Sequence, residues 1–116
     1  MAVSKLILSG STSGRPIPVA AVATPGTTIH TAVSGALSKD EIYLLAANAG
    51  DALARLTIEW GGVAQGDHIV DELALPPHSA LIVVVPGVVL NGGLSVAAFS
   101  DVASAINISG YVNSIS

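Results

Sequence analysis

The chain has 116 residues, of which 51% are hydrophobic and only 10% charged, with a formal net charge of −4 and no cysteine. That length suits one domain, and the missing cysteine excludes disulfide staples, thiolate nucleophiles and cysteine-held zinc or iron–sulfur centres. The only cations, Lys5, Arg15, Lys39 and Arg55, cannot build a phosphate-neutralising surface, so nucleic acid is not an expected partner.

In chain order, short β-branched and aliphatic runs fall at residues 3–8, 17–23, 28–33, 41–48, 54–60, 68–75, 80–85, 94–99 and 105–113. Between them stand turn formers, among them Gly10 to Gly14, Pro25-Gly26, Asn48 to Asp51, Gly61-Gly62, Gly66-Asp67, Pro76-Pro77, Pro86-Gly87 and Asn91-Gly92-Gly93. This rhythm predicts an all-β, antiparallel sandwich of about nine short strands. Residues 50–56 and 101–105 are too short and too Gly-flanked to predict more than a helical turn.

Two runs alternate as half-buried strands do. Leu56, Ile58 and Trp60 are predicted to face the core, with Arg55, Thr57 and Glu59 facing water. Later, Ile106, Ile108 and Val112 oppose Asn107, Ser109 and Asn113. Ile82 to Val85, and Leu44-Leu45 beside Ala46-Ala47, are apolar on both faces, which predicts a second layer of burial, most simply another subunit. The shortage of charge points the same way, since an average soluble domain is roughly a quarter charged. The longest apolar stretch, ALIVVVPGVVL at residues 80–90, falls well short of the roughly 20 residues of a spanning helix. Leu6-Ile7-Leu8 is too short for the apolar region of a secretory signal. No membrane association is therefore expected.

A search for chemistry returns little. His68 stands near Asp67, Asp71 and Glu72, but on a regular strand Asp67 and Asp71 point away from His68, so a metal site is not expected. His30 alternates with Ile29 and is predicted to face solvent or a subunit seam; His78 follows Pro76-Pro77 and is predicted to be solvated. Asp40-Glu41 and Asp71-Glu72 are adjacent pairs whose members face opposite ways, unlike the paired carboxylates of a glycosidase. No G-x-S-x-G is present. Glu59 beside Trp60 is the best candidate for a sugar contact, although one Trp, two Tyr and one Phe make a poor aromatic platform. Gly10 to Pro16 lacks the spacing of a phosphate loop. No catalytic residue, cofactor or metal is assigned.

The stretches SKLILSGSTSGRPIPVA, TPGTTIHTAVSG, DEIYLLAANAG, LTIEWGG, VVPGVVLNGGLSVAAFS and ISGYVNSIS together resemble small virion proteins of tailed bacteriophages, of the kind encoded among head genes, from Ser4 to Ile115. This resemblance implies a capsid decoration or cement protein: a jelly-roll-like sandwich that trimerises, sits on the outside of the head and reinforces the major capsid protein shell. It implies assembly in the host bacterial cytoplasm and residence on the virion surface. Residues 1–18 would form an N-terminal strand and a flexible capsid-contacting arm before a sandwich at 19–116, with Lys5, Arg15, Pro16 and His30 as candidate contacts. A sugar-binding fibre or neck module and a small cupin-like enzyme are the alternatives; the enzyme would need its histidines to converge.

Overall fold

A computed structural model describes residues 2–116. Its strands are β1 Val3–Leu6, β2 Ile17–Pro18, β3 Thr27–Thr31, β4 Lys39–Asn48, β5 Ala54–Trp60, β6 His68–Leu75, β7 Ile82–Leu90, β8 Ser95–Ser100 and β9 Ile106–Ile115, with a 3-10 turn at Gln65–Asp67. A five-stranded sheet runs β1-β9-β4-β7, with β2 continuing the β1 edge on β9; a four-stranded sheet runs β3-β8-β5-β6. All pairings are antiparallel.

The pairings are nested: β1 and β2 with β9, β3 with β8, β4 with β7, β5 with β6. The chain therefore behaves as one long hairpin folded over, and the extra contacts β4 to β9 and β5 to β8 roll it into two sheets. This is the jelly-roll solution, which leaves few open edges. The all-β antiparallel sandwich and its strand number match the sequence expectation.

Between the sheets lies one apolar cluster that includes Leu8, Ile17, Val19, Ile29, Ile42, Leu44, Leu56, Ile58, Val85, Ile106, Ile108 and Val112. The alternation expected of β9 holds, since Ile106, Ile108 and Val112 are buried and their neighbours only half-buried. Leu8 and Ile17 belong to the same core as β4 and β5. Residues 3–6 and 17–18 are sheet strands; the part of the segment that stands free of the sheets is the exposed turn around Thr12 to Pro16.

Other differences have local causes. Pro86-Gly87 was expected to turn the chain, yet β7 runs through it. β7 is an edge strand, where a residue without an N–H is tolerated. Gly87, at φ +98, makes room for the Tyr43 ring, which an added Cβ would meet at 2.8 Å. The water-facing assignment of Thr57 and Glu59 is also corrected: they are 2% and 1% exposed. The Thr57 hydroxyl accepts the Glu72 backbone N–H, and Glu59 lies under the loop through Thr24 to Gly26.

Candidate interaction surface

Among the described residues no loop is bonded across one broad face, the outward side of the five-stranded sheet. Strand alternation turns Ile42, Leu44 and Ala46 inward, which leaves Glu41, Tyr43, Leu45 and Ala47 outward and half-buried or exposed. Register extends these positions into cross-strand rows. Glu41 pairs with Asn113, and Asn113 with Lys5; Tyr43 pairs with Tyr111; Val3 and Lys39 flank Ile115. On the β7 side stand Val83 opposite Leu45 and Val89 opposite Glu41, 60% and 48% exposed.

At the centre the Tyr43 and Tyr111 rings stack with centroids 4.7 Å apart, and the Lys5 ammonium lies 4.5 Å from the Tyr111 centroid. The Tyr43 hydroxyl donates to Glu41 Oε1 at 2.9 Å and Asn113 Nδ2 donates to the same oxygen at 3.2 Å. The hydrogen bond to Glu41 holds the Tyr43 phenol above its ordinary range, with partial desolvation and the nearby negative charge pushing the same way. Two cations, Lys5 and Lys39, meet one carboxylate on this face, whereas the whole chain has a net charge of −4. A flat, aromatic and aliphatic face of this kind suits contact with another protein surface.

The candidate contacts from sequence divide. Lys5 lies on this face. Arg15 and Pro16 line a shallow hollow of about 450 Å³ with Gly10, Ser11, Ile17 and Asn107. That hollow adjoins the β9 end at Asn107 while Lys5 pairs at Asn113, a separation of about 20 Å along a strand. His30 is corrected outright: it is 3% exposed and has no surface to offer a subunit seam. Its Nε2 lies 2.8 Å from Asp40 Oδ2, and its Nδ1 accepts the Ser9 backbone N–H at 3.0 Å. A register shift between Thr28 and His30 turns both Ile29 and His30 inward.

The histidines do not converge; each pairs with its own aspartate. His68 Nδ1 meets Asp71 Oδ1 at 2.9 Å, contrary to the expectation that they point apart, because Glu72 takes φ +51 and the β5–β6 register shifts there. His78 is exposed, as expected, and meets Asp51 at 2.9 Å. Among the described residues no three His, Asp or Glu side chains are placed to hold a metal.

Glu59 and Trp60 do not form a joint sugar platform. They occupy opposite faces of β5, with Trp60 packed against the core and the Glu59 carboxylate taken up by the Gly26 N–H at 2.8 Å and by the Thr24 hydroxyl. This gives Glu59 a structural task, pinning the loop over the four-stranded sheet. Glu59→Ala is expected to cost about 2–3 kcal/mol, and Glu59→Gln, which keeps one acceptor, distinctly less. Chemical unfolding of the two variants checks this; equal losses would count against the pinning role.

Comparison with protein-family models, with curated protein sequences and with solved structures returns no match for the chain.

Proposed function

We propose that this chain is a structural protein of a tailed-phage particle: a self-associating jelly roll that docks on the outside of the capsid and stabilises it as a decoration or cement protein. The observation that carries this reading is the uncovered face around Tyr43 and Tyr111, which is rich in apolar surface while the chain as a whole is only 10% charged. The resemblance of the turn and strand stretches to small phage head proteins supplies the identity of the larger partner, and the jelly-roll topology is compatible with it.

The mechanism is multivalent. Each subunit contributes a modest interface, and subunits joined to one another bind several capsid proteins at once, so effective concentration multiplies weak contacts into a firm one. Such a clamp resists separation of neighbouring capsid proteins, which is how a shell under internal pressure fails.

The test is co-sedimentation of purified protein with empty capsids of its phage, with the capsids' thermal disruption followed with and without it. Saturable binding and a higher disruption temperature are the expected results. A protein that stays in the supernatant at every concentration would refute capsid docking.

A further inference from the structure

We propose that the outward face of the five-stranded sheet is a two-fold interface between two copies of this chain, in which Lys5 of each copy pairs with Glu41 of the other. This rests on the self-association part of the reading above and does not need the capsid.

The edges of the sheets are poor places to join. β7 carries Pro86 and two register shifts, β6 carries Asp71 and Glu72 with a positive φ at Glu72, and β3 is broken by its shift at Thr28/His30. β1 and β2 are separated by the loop between Leu6 and Ile17. Irregular, charged or proline-bearing edges resist strand addition, which leaves the faces. The outward face of the four-stranded sheet is a poor candidate: Glu59 is roofed by the Thr24 to Gly26 loop, and Asp71 and Asp101 are already paired with His68 and Arg55.

The five-stranded sheet offers the opposite. Its β4 and β9 are ten residues each, and an axis along β9 overlays the three strand widths from β1 and β2 through β9 to β4, a face of about 33 by 14 Å, roughly 460 Å² per copy. A pair of such faces buries about 900 Å², the size of a weak interface whose occupancy depends on concentration, which is what a dilution series reads.

Charge supplies the geometry. Lys5 and Glu41 occupy one cross-strand row, on either side of Asn113. They do not pair with each other: among the described residues Lys5 has no carboxylate within salt-bridge distance, and both bonds to Glu41 fall on Oε1, leaving Oε2 free. A two-fold axis in the interface plane along β9 exchanges the strands on its two sides, so each Lys5 comes to lie over the other copy's Glu41. Packed sheets cross at about 30°, which displaces residues about 4.8 Å from the axis by only about 2.5 Å, within the reach of a lysine. The same operation brings the tyrosine pairs to the middle, where buried aromatics contribute most.

The experiment is mass measurement in solution across a dilution series for the wild type, Lys5→Glu, Glu41→Lys and the double swap K5E/E41K, with circular dichroism confirming the fold. The wild type is expected at twice the 11.5 kDa chain mass. Each single reversal is expected to weaken the dimer at least tenfold, and the swap to restore it to within a few-fold. K39E combined with E41K makes the same charge changes, but position 39 lies over Val3 of the other copy and not over Lys5, so it should not restore association. If a reversal unfolds the chain, Lys5→Ala and Glu41→Gln replace it, each expected to weaken association. A monomeric wild type would sink both this interface and self-association. A three-fold mass, unaffected singles or failure of the swap to rescue would sink this interface alone.

Discussion

Replacing His30 by alanine is expected to cost about 3–5 kcal/mol, a large share of the stability of a domain this size. The pair it would break is sealed, with the His30 and Asp40 side chains 4% and 3% exposed. Since His30 Nδ1 accepts the Ser9 N–H, the ring proton sits on Nε2 and is donated to Asp40 Oδ2, which also accepts the Val33 N–H at 3.1 Å. Removing the ring strands the Ser9 amide and leaves the carboxylate with one backbone donor, while Asp40 Oδ1 already has no partner. Both losses fall in a low-dielectric setting, where an unpaired polar group is most costly.

The network also holds the crossing between the sheets. Ser9 Oγ accepts the Thr31 N–H at 2.7 Å and the Gly10 N–H donates to Ile29 O at 2.9 Å, so Ser9 and Gly10 are stitched to β3 just after β1 leaves the other sheet. Asp40→Asn should behave differently from His30→Ala. The amide oxygen can take both donors now on Oδ2, its NH₂ replaces an oxygen that has no partner, and a buried charge disappears, so a loss of no more than about 1 kcal/mol is expected. The double change His30→Leu, Asp40→Leu should recover part of the loss only, since the Ser9 and Val33 amides then both lack acceptors. Urea unfolding orders the three variants, and Asn as damaging as the His30 deletion would show that the charge itself is required.

These residues illustrate what could be read from the chain. Asp40 and Asn48 lie in phase with Ile42, Leu44 and Ala46, so the period of two already places them inside β4, and the structure finds both buried. His30 was out of reach because a register shift, which leaves no mark on periodicity, turns it inward beside Ile29. Thr57 and Glu59 alternated as a solvent face would; Glu59 is covered by a loop more than thirty residues earlier in the chain and Thr57 is bonded by the Glu72 N–H of the bulged β6, both tertiary facts. Turn chemistry was legible at Asn91 to Gly93 and misleading at Pro86-Gly87, where edge position and the Tyr43 ring decide. Of the candidate contacts, Lys5 lies on the outward face, but its row with Asn113 and Glu41 depends on strand pairings of high sequence separation.

Gly110→Ala is expected to be at least as damaging as loss of His30. Gly110 sits at an inward position of β9, between Ile108 and Val112, and pairs with Leu44 in the middle of the β4–β9 ladder. It takes φ +152, and a Cβ built there would fall on the carbonyl oxygen of Tyr43, with the Tyr43 carbonyl carbon at 3.0 Å and Leu44 Cα at 3.1 Å. All three atoms are backbone of the central strand, so no side chain can swing aside; either the ladder parts or the residue moves to a different φ, and both disturb the longest pairing in the fold. A loss of about 4 kcal/mol or more is expected, with poor recovery of soluble protein as the visible sign. Gly66→Ala is the matched control: it meets nothing within 4 Å and should stay within about 0.5 kcal/mol of the wild type. Gly93→Ala lies between the two, with open space but φ +70, and should lose about 1 kcal/mol. Denaturation midpoints in that order would show that backbone approach between β9 and β4 sets the requirement for glycine; a Gly110→Ala variant as stable as the Gly93→Ala one would show that the ladder yields more easily than its packing implies.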